Sequence, residues 1–82
     1  PVQPAAAPPA KRKLSYKDQR ELEQLPARIE ALEADIATRS AALQDAAFYR
    51  QDAAQQQAQN MQLAALQAEL DAAYARWTQL DA

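Results

Sequence analysis

Cysteine, histidine and glycine are all missing from this 82-residue sequence. Without cysteine there are no disulfides and no thiolate metal sites. Without histidine the commonest general base and the commonest metal ligand are gone. Without glycine no glycine-rich phosphate loop exists. A chain this short buries little apolar surface and needs regular packing to be stable. No apolar run approaches the ~20 residues that span a bilayer, so no membrane partner is expected. The proline-rich N-terminus does not read as a signal peptide, because its basic residues follow the apolar stretch instead of preceding it. These absences also leave no nucleophile–base pair, no metal set and no pocket, so no enzymatic activity and no cofactor are expected of this stretch itself.

Alanine and glutamine are abundant, and with no glycine this is a strong helix composition. Residues 1–10, PVQPAAAPPA, hold four of the five prolines. They read as a semi-rigid or disordered linker to something upstream, so the chain is expected to be part of a larger protein. Residues 11–82 form the domain. Ser15-Tyr16-Lys17-Asp18 has the form of a capping box. Behind it Leu22, Leu25, Ile29, Leu32, Ile36, Arg39 and Leu43 alternate spacings of three and four, a heptad seam with one polar interruption. This predicts a first helix over about 15–44. Residues 45–52, DAAFYRQD, break the pattern and predict a loop. Asp52 with Gln55 three residues on reads as a second N-cap. Leu63, Leu66, Leu70, Ala73, Trp77 and Leu80 then carry a second helix over about 53–81, whose seam extends backward onto Gln59 and Gln56.

Two helices of similar length joined by a short loop imply an antiparallel hairpin. A single register pairs Leu22 with Trp77, Leu25 with Ala73, Ile29 with Leu70, Leu32 with Leu66 and Ile36 with Leu63, and brings Asp18 beside Leu80 and Arg39 beside Gln59. The fold expected is therefore all-α, an antiparallel two-helix intramolecular coiled coil, as a monomer; the pattern alone leaves an intermolecular dimer open. Pro26 lies inside the first helix, where proline removes a backbone hydrogen bond and clashes with the Leu22 carbonyl. Either the helix begins near Leu25 or it is kinked near Pro26. Because the seam keeps its phase through Leu22 and Leu25, the kink is the reading preferred, and it would aim the preceding segment.

Charge is distributed unevenly. Residues 1–20 carry Lys11, Arg12, Lys13, Lys17 and Arg20 against Asp18, a net of +4, whereas residues 21–82 carry four arginines against ten acids, a net of −6. A basic cluster beside a proline-rich linker can be merely solubilising. The functional reading is phosphate contact: Lys11, Arg12 and Lys13 on an arm, Lys17 and Arg20 three apart on one helix face. No base-reading constellation is visible. Trp77 and Tyr74 read as core, Trp77 plugging the open end opposite Leu22 and Tyr74 flanking Leu25. Phe48 and Tyr49 read as a cap over Gln56 and Gln59, or as an exposed contact tip. Acids such as Glu30 read as solvated charges, some pairing across the seam.

The block KLSYKDQRELEQLP at 13–26, DAAFY at 45–49 and YARWTQL at 74–80 resemble the C-terminal domains of the bacterial ABC-F family of ATPases. The resemblance covers roughly residues 11–82. It implies a cytoplasmic parent with two tandem ATP-binding cassettes upstream, no membrane domain, and ATP and Mg²⁺ held in those cassettes rather than here. It implies DNA, including branched DNA, or ribosomal RNA as the partner, with docking on the parent's own cassettes as the alternative. Matching motif positions are Lys13, Tyr16, Lys17, Arg20, Pro26 and Trp77. Lys13, Lys17 and Arg20 would contact phosphates, assisted by Lys11 and Arg12, while Tyr16, Leu22, Pro26 and Trp77 would be structural. Few basic residues lie along the hairpin, where Arg28, Arg39 and Arg50 are scattered among acids, so the footprint would be confined to the basic end. Sequence-nonspecific DNA binding is the leading reading.

Overall fold

The computed structural model describes residues 14–81. The linker at 1–10 and the basic residues Lys11, Arg12 and Lys13 lie outside the described residues. Three helices follow one another: α1 Tyr16–Ala42, α2 Ala46–Tyr49 and α3 Ala53–Asp81, with no strand among the described residues. At 1.5 Å per residue α1 and α3 are about 40 and 43 Å long. They pack against each other as a helical hairpin.

Local chemistry sets the ends. Ser15 has extended backbone angles and its hydroxyl accepts from the Asp18 N–H at 3.1 Å, capping α1. A cap of this kind contributes about 1 kcal/mol. Asp52 caps α3, its carboxylate accepting from the Gln55 N–H at 2.8 Å. The connection is more ordered than a plain loop. Asp45 accepts from the Ala47 N–H at 2.9 Å and starts a single helical turn, α2, which swings Phe48 inward. Pro26 sits within α1, and the helix begins ten residues before it at Tyr16, not at Leu25.

The core lies in the half of the hairpin away from the connection. Leu25, Ile29, Leu32, Ala73 and Leu80 are buried together, with Leu14, Leu22, Leu66, Leu70 and Trp77 packed against them. Each large aliphatic side chain buried there contributes about 1.5–3 kcal/mol. Alanine at 73 leaves room for Leu25 to seat between the helices. Towards the connection the seam turns polar. Arg39 and Gln59 line the same hollow. Arg39 is held by Asp35 at 2.9 Å. The Gln59 amide donates to the Gln51 side-chain oxygen at 2.8 Å, and the Gln56 amide to the Gln51 carbonyl at 2.9 Å. These bonds satisfy the seam glutamines where apolar contact is thin.

Candidate nucleic-acid interface

The open end of the hairpin brings the start of α1 beside the end of α3. Arg76 is the side chain that joins them. Its Nε donates to Glu21 Oε2 at 2.8 Å and its Nη2 to Glu21 Oε1 at 3.0 Å, a two-pronged pair. The same Nη2 donates to Asp18 Oδ1 at 3.1 Å. The hydrogen bond from Arg76 holds the Glu21 carboxyl below the usual carboxylate range; the charges of Arg76 and Lys17 act in the same direction, and partial desolvation opposes them. The Glu21 hydrogen bond in turn raises the Arg76 guanidinium. One heptad along, Arg28 reaches Glu69 at 3.4 Å. Moving from Glu21 to Arg28 climbs α1 by seven residues while the partner descends α3 by seven, from Arg76 to Glu69. Both pairs therefore obey one antiparallel register and flank the seam on the same side. The Arg28–Glu69 pair is more exposed and acts mainly in orientation.

On the other flank the Tyr74 hydroxyl donates to Glu33 Oε2 at 2.7 Å. This bond raises the Tyr74 pKa, with desolvation and the carboxylate charge adding to it. Tyr74 thus stays partly exposed and works as a cross-helix strut. Glu30 is exposed and makes no ion pair among the described residues; the carboxylates that pair across the seam are Asp18, Glu21 and Glu69.

The structure places Lys17 and Arg20 on the surface of α1 at this same end. Tyr16 is 73% exposed. Its hydroxyl accepts from Arg20 Nη1 at 3.0 Å, and the guanidinium carbon lies 5.8 Å from the ring centroid. Tyr16 is therefore an outward-facing partner of Arg20, not a core residue. Leu22 and Trp77 are half-buried against the core. At the far end Phe48 and Tyr49 part company. Phe48 is 6% exposed and Tyr49 66%, their rings edge to face at 4.9 Å. Phe48 closes the connection and Tyr49 projects from it. The arginine clamp escaped the seam reading because Arg76 lies one residue before Trp77. The signal was present: Glu21, Arg28, Glu69 and Arg76 occupy matching flanking positions in the same heptad register.

No helix among the described residues is long and apolar enough to cross a membrane, and no group of three or more carboxylates among them could hold a metal ion. Residues 13–82 match the family of ABC transporter C-terminal domains, and the chain belongs to that family. It is 48% identical over 69 residues to an ATP-binding protein Uup-like of Haemophilus influenzae, covering 84% of this chain and 15% of that protein. It is 46% identical over 69 residues to the ATP-binding protein Uup of the same organism, covering 84% and 11%. It is likewise 46% identical over 70 residues to the ATP-binding protein Uup of Escherichia coli, covering 85% and 11%. The chain thus spans between a tenth and a sixth of the length of these relatives and corresponds to a C-terminal domain of Uup-like ATP-binding proteins. No solved structure matches it.

Proposed function

We propose that this hairpin is a sequence-nonspecific DNA-binding domain of a cytoplasmic ABC-F ATPase, and that it grips phosphates through its basic open end. The observation that carries this reading is the division of labour among the cations there. Arg76 is engaged by Glu21 and Asp18, so those acids are paired across the hairpin and partly compensated. Lys17 and Arg20 stay on the surface with no ion pair among the described residues. Lys11, Arg12 and Lys13 extend the same charge along the sequence. Lysine and arginine on one helix face, without a base-reading constellation, suit phosphate contact rather than sequence readout. ATP and Mg²⁺ belong to cassettes elsewhere in such a parent, and the hairpin itself does no chemistry.

The test is a salt titration of binding to labelled duplex DNA, with a matched structured RNA in parallel. Three to five phosphate contacts give a log–log slope of about −3 to −4.5 on duplex. Charge reversal of Lys13, Lys17 and Arg20 is expected to abolish retardation while the far-UV circular dichroism stays helical. Binding that survives the reversal would put the site elsewhere. Tighter binding to the structured RNA would favour ribosomal RNA as the partner. The exposed Tyr49 supports a second reading, a protein-docking arm that contacts the parent's cassettes through the tip. Tyr49→Ala would then weaken capture of those cassettes, and the basic end would be dispensable.

A further inference from the structure

Tyr16 is the most exposed of the large hydrophobic side chains among the described residues, yet it is held in place. Its hydroxyl is fixed by Arg20 at 3.0 Å, and the same guanidinium lies over the ring, its carbon 5.8 Å from the centroid. At 73% exposure most of the ring is still open to solvent. Beside it lies an open hollow of about 410 Å³ lined by Tyr16, Lys17, Arg20, Glu21 and Gln24. Of these, only Glu21 carries negative charge, and Arg76 occupies both of its carboxylate oxygens. An aromatic face, two cations and a free amide therefore border one shallow space. A phenol this exposed adds little to the core, so packing alone gives little reason to anchor it there. The arrangement suits a nucleotide whose base is unpaired: the base stacks on the ring while the adjoining phosphates meet Lys17 and Arg20. A duplex presents the same phosphates but keeps its base faces stacked inside.

We propose that Tyr16 is a base-stacking residue and that the open end prefers nucleic acid with unpaired nucleotides over uniform duplex. This rests on the phosphate-contact reading above and adds the substrate form to it. The 82-residue chain is titrated, at one low salt concentration, against a fluorescent 15-nucleotide oligothymidine, a 15-nucleotide oligouridine and a 15-base-pair DNA duplex. The single strands are expected to bind more tightly than the duplex. Tyr16→Ala is expected to weaken single-strand binding about tenfold, within the range for loss of one stacked base, and to weaken duplex binding by a smaller factor that reflects the freed Arg20. Tyr16→Phe keeps the ring and is expected to retain the single-strand preference. The ratio of the two single strands identifies DNA or RNA as the source of the unpaired base. Equal single-strand to duplex ratios in the parent chain and Tyr16→Ala overturn the stacking role and leave phosphate contact standing. Absence of binding to all three probes overturns both.

Discussion

Replacing Pro26 by alanine separates two structures that the sequence alone leaves open. In the structure α1 starts at Tyr16, so Pro26 lies in its third turn. There it cannot donate to the Leu22 carbonyl, and its ring crowds that carbonyl. Proline in a helix interior is about 3 kcal/mol less favourable than alanine. Pro26 is exposed, so water can reach the orphaned carbonyl, and the local backbone relaxes around the ring. A gain of about 2 kcal/mol for Pro26→Ala is therefore expected, which for a domain of this size raises Tm by roughly 8–16 °C. Thermal melts followed by far-UV circular dichroism read it directly. Were the helix instead to begin at Leu25, Pro26 would occupy the first turn, where it is well tolerated, and the substitution would be close to neutral. A Tm change under about 2 °C would thus refute the continuous helix. If the proline also aims the basic end, the stabilised variant binds DNA more weakly than the parent, a loss of affinity alongside a gain in stability.

Other perturbations probe the packing and the clamp. Leu25→Ala empties the centre of a narrow core and is expected to cost about 2–5 kcal/mol, enough to unfold much of the population at 25 °C; a urea midpoint like the parent's would contradict the seam. Glu21 has its pKa depressed in the folded state by the Arg76 hydrogen bond, so its contribution is present above the ordinary value of 4.5 and is lost as pH falls through the lower folded value. Arg76→Gln should lower Tm at neutral pH and flatten the acid limb of the Tm–pH profile; an unchanged limb would sink the clamp. Tyr74 has its pKa raised by Glu33, so its contribution is present below the ordinary value of 10.0 and is lost as pH rises through the higher folded value. Tyr74→Phe should therefore lower Tm at neutral pH and remove the alkaline decline expected of the parent.

The hairpin was legible because its seam is written in leucines and isoleucines at strict three-and-four spacing, and because Ser15 and Asp52 announce the starts of α1 and α3. Less was legible where several chemically reasonable partners compete. DAAFYRQD looks like a simple break, yet Asp45 nucleates one helical turn, and that turn alone decides that Phe48 goes in and Tyr49 goes out. Hydrophobicity treats those two neighbours alike. Tyr74 lies one position past the core Ala73, and only the reach of its hydroxyl to Glu33 shows that it bridges instead of filling. Arg76 was hidden for the same reason: seam positions report burial, whereas the flanking positions report charge pairing, which depends on where long side chains can meet.

The charges of the open end are sorted by the heptad and not by composition. A flanking position on α3 places Arg76 against the matching flank of α1, where Glu21 and Asp18 meet it. Those acids are thereby committed inward, along the groove between the helices. Lys17 and Arg20 fall on the outer surface of α1, where no α3 carboxylate reaches them among the described residues. A chain with a net charge of −2 can in this way present a local cationic face to a polyanion. The same sorting predicts a sign. Neutralising Arg76 by Arg76→Gln frees two carboxylates beside the proposed binding end, so it should weaken DNA binding although Arg76 is not among the proposed phosphate contacts. Losing one distant cation, as in Arg39→Gln, lowers the net charge by the same single unit far from the open end and should leave binding nearly unchanged. Equal losses from the two would mean that net charge alone governs the interaction, and that the geometry of the open end does not.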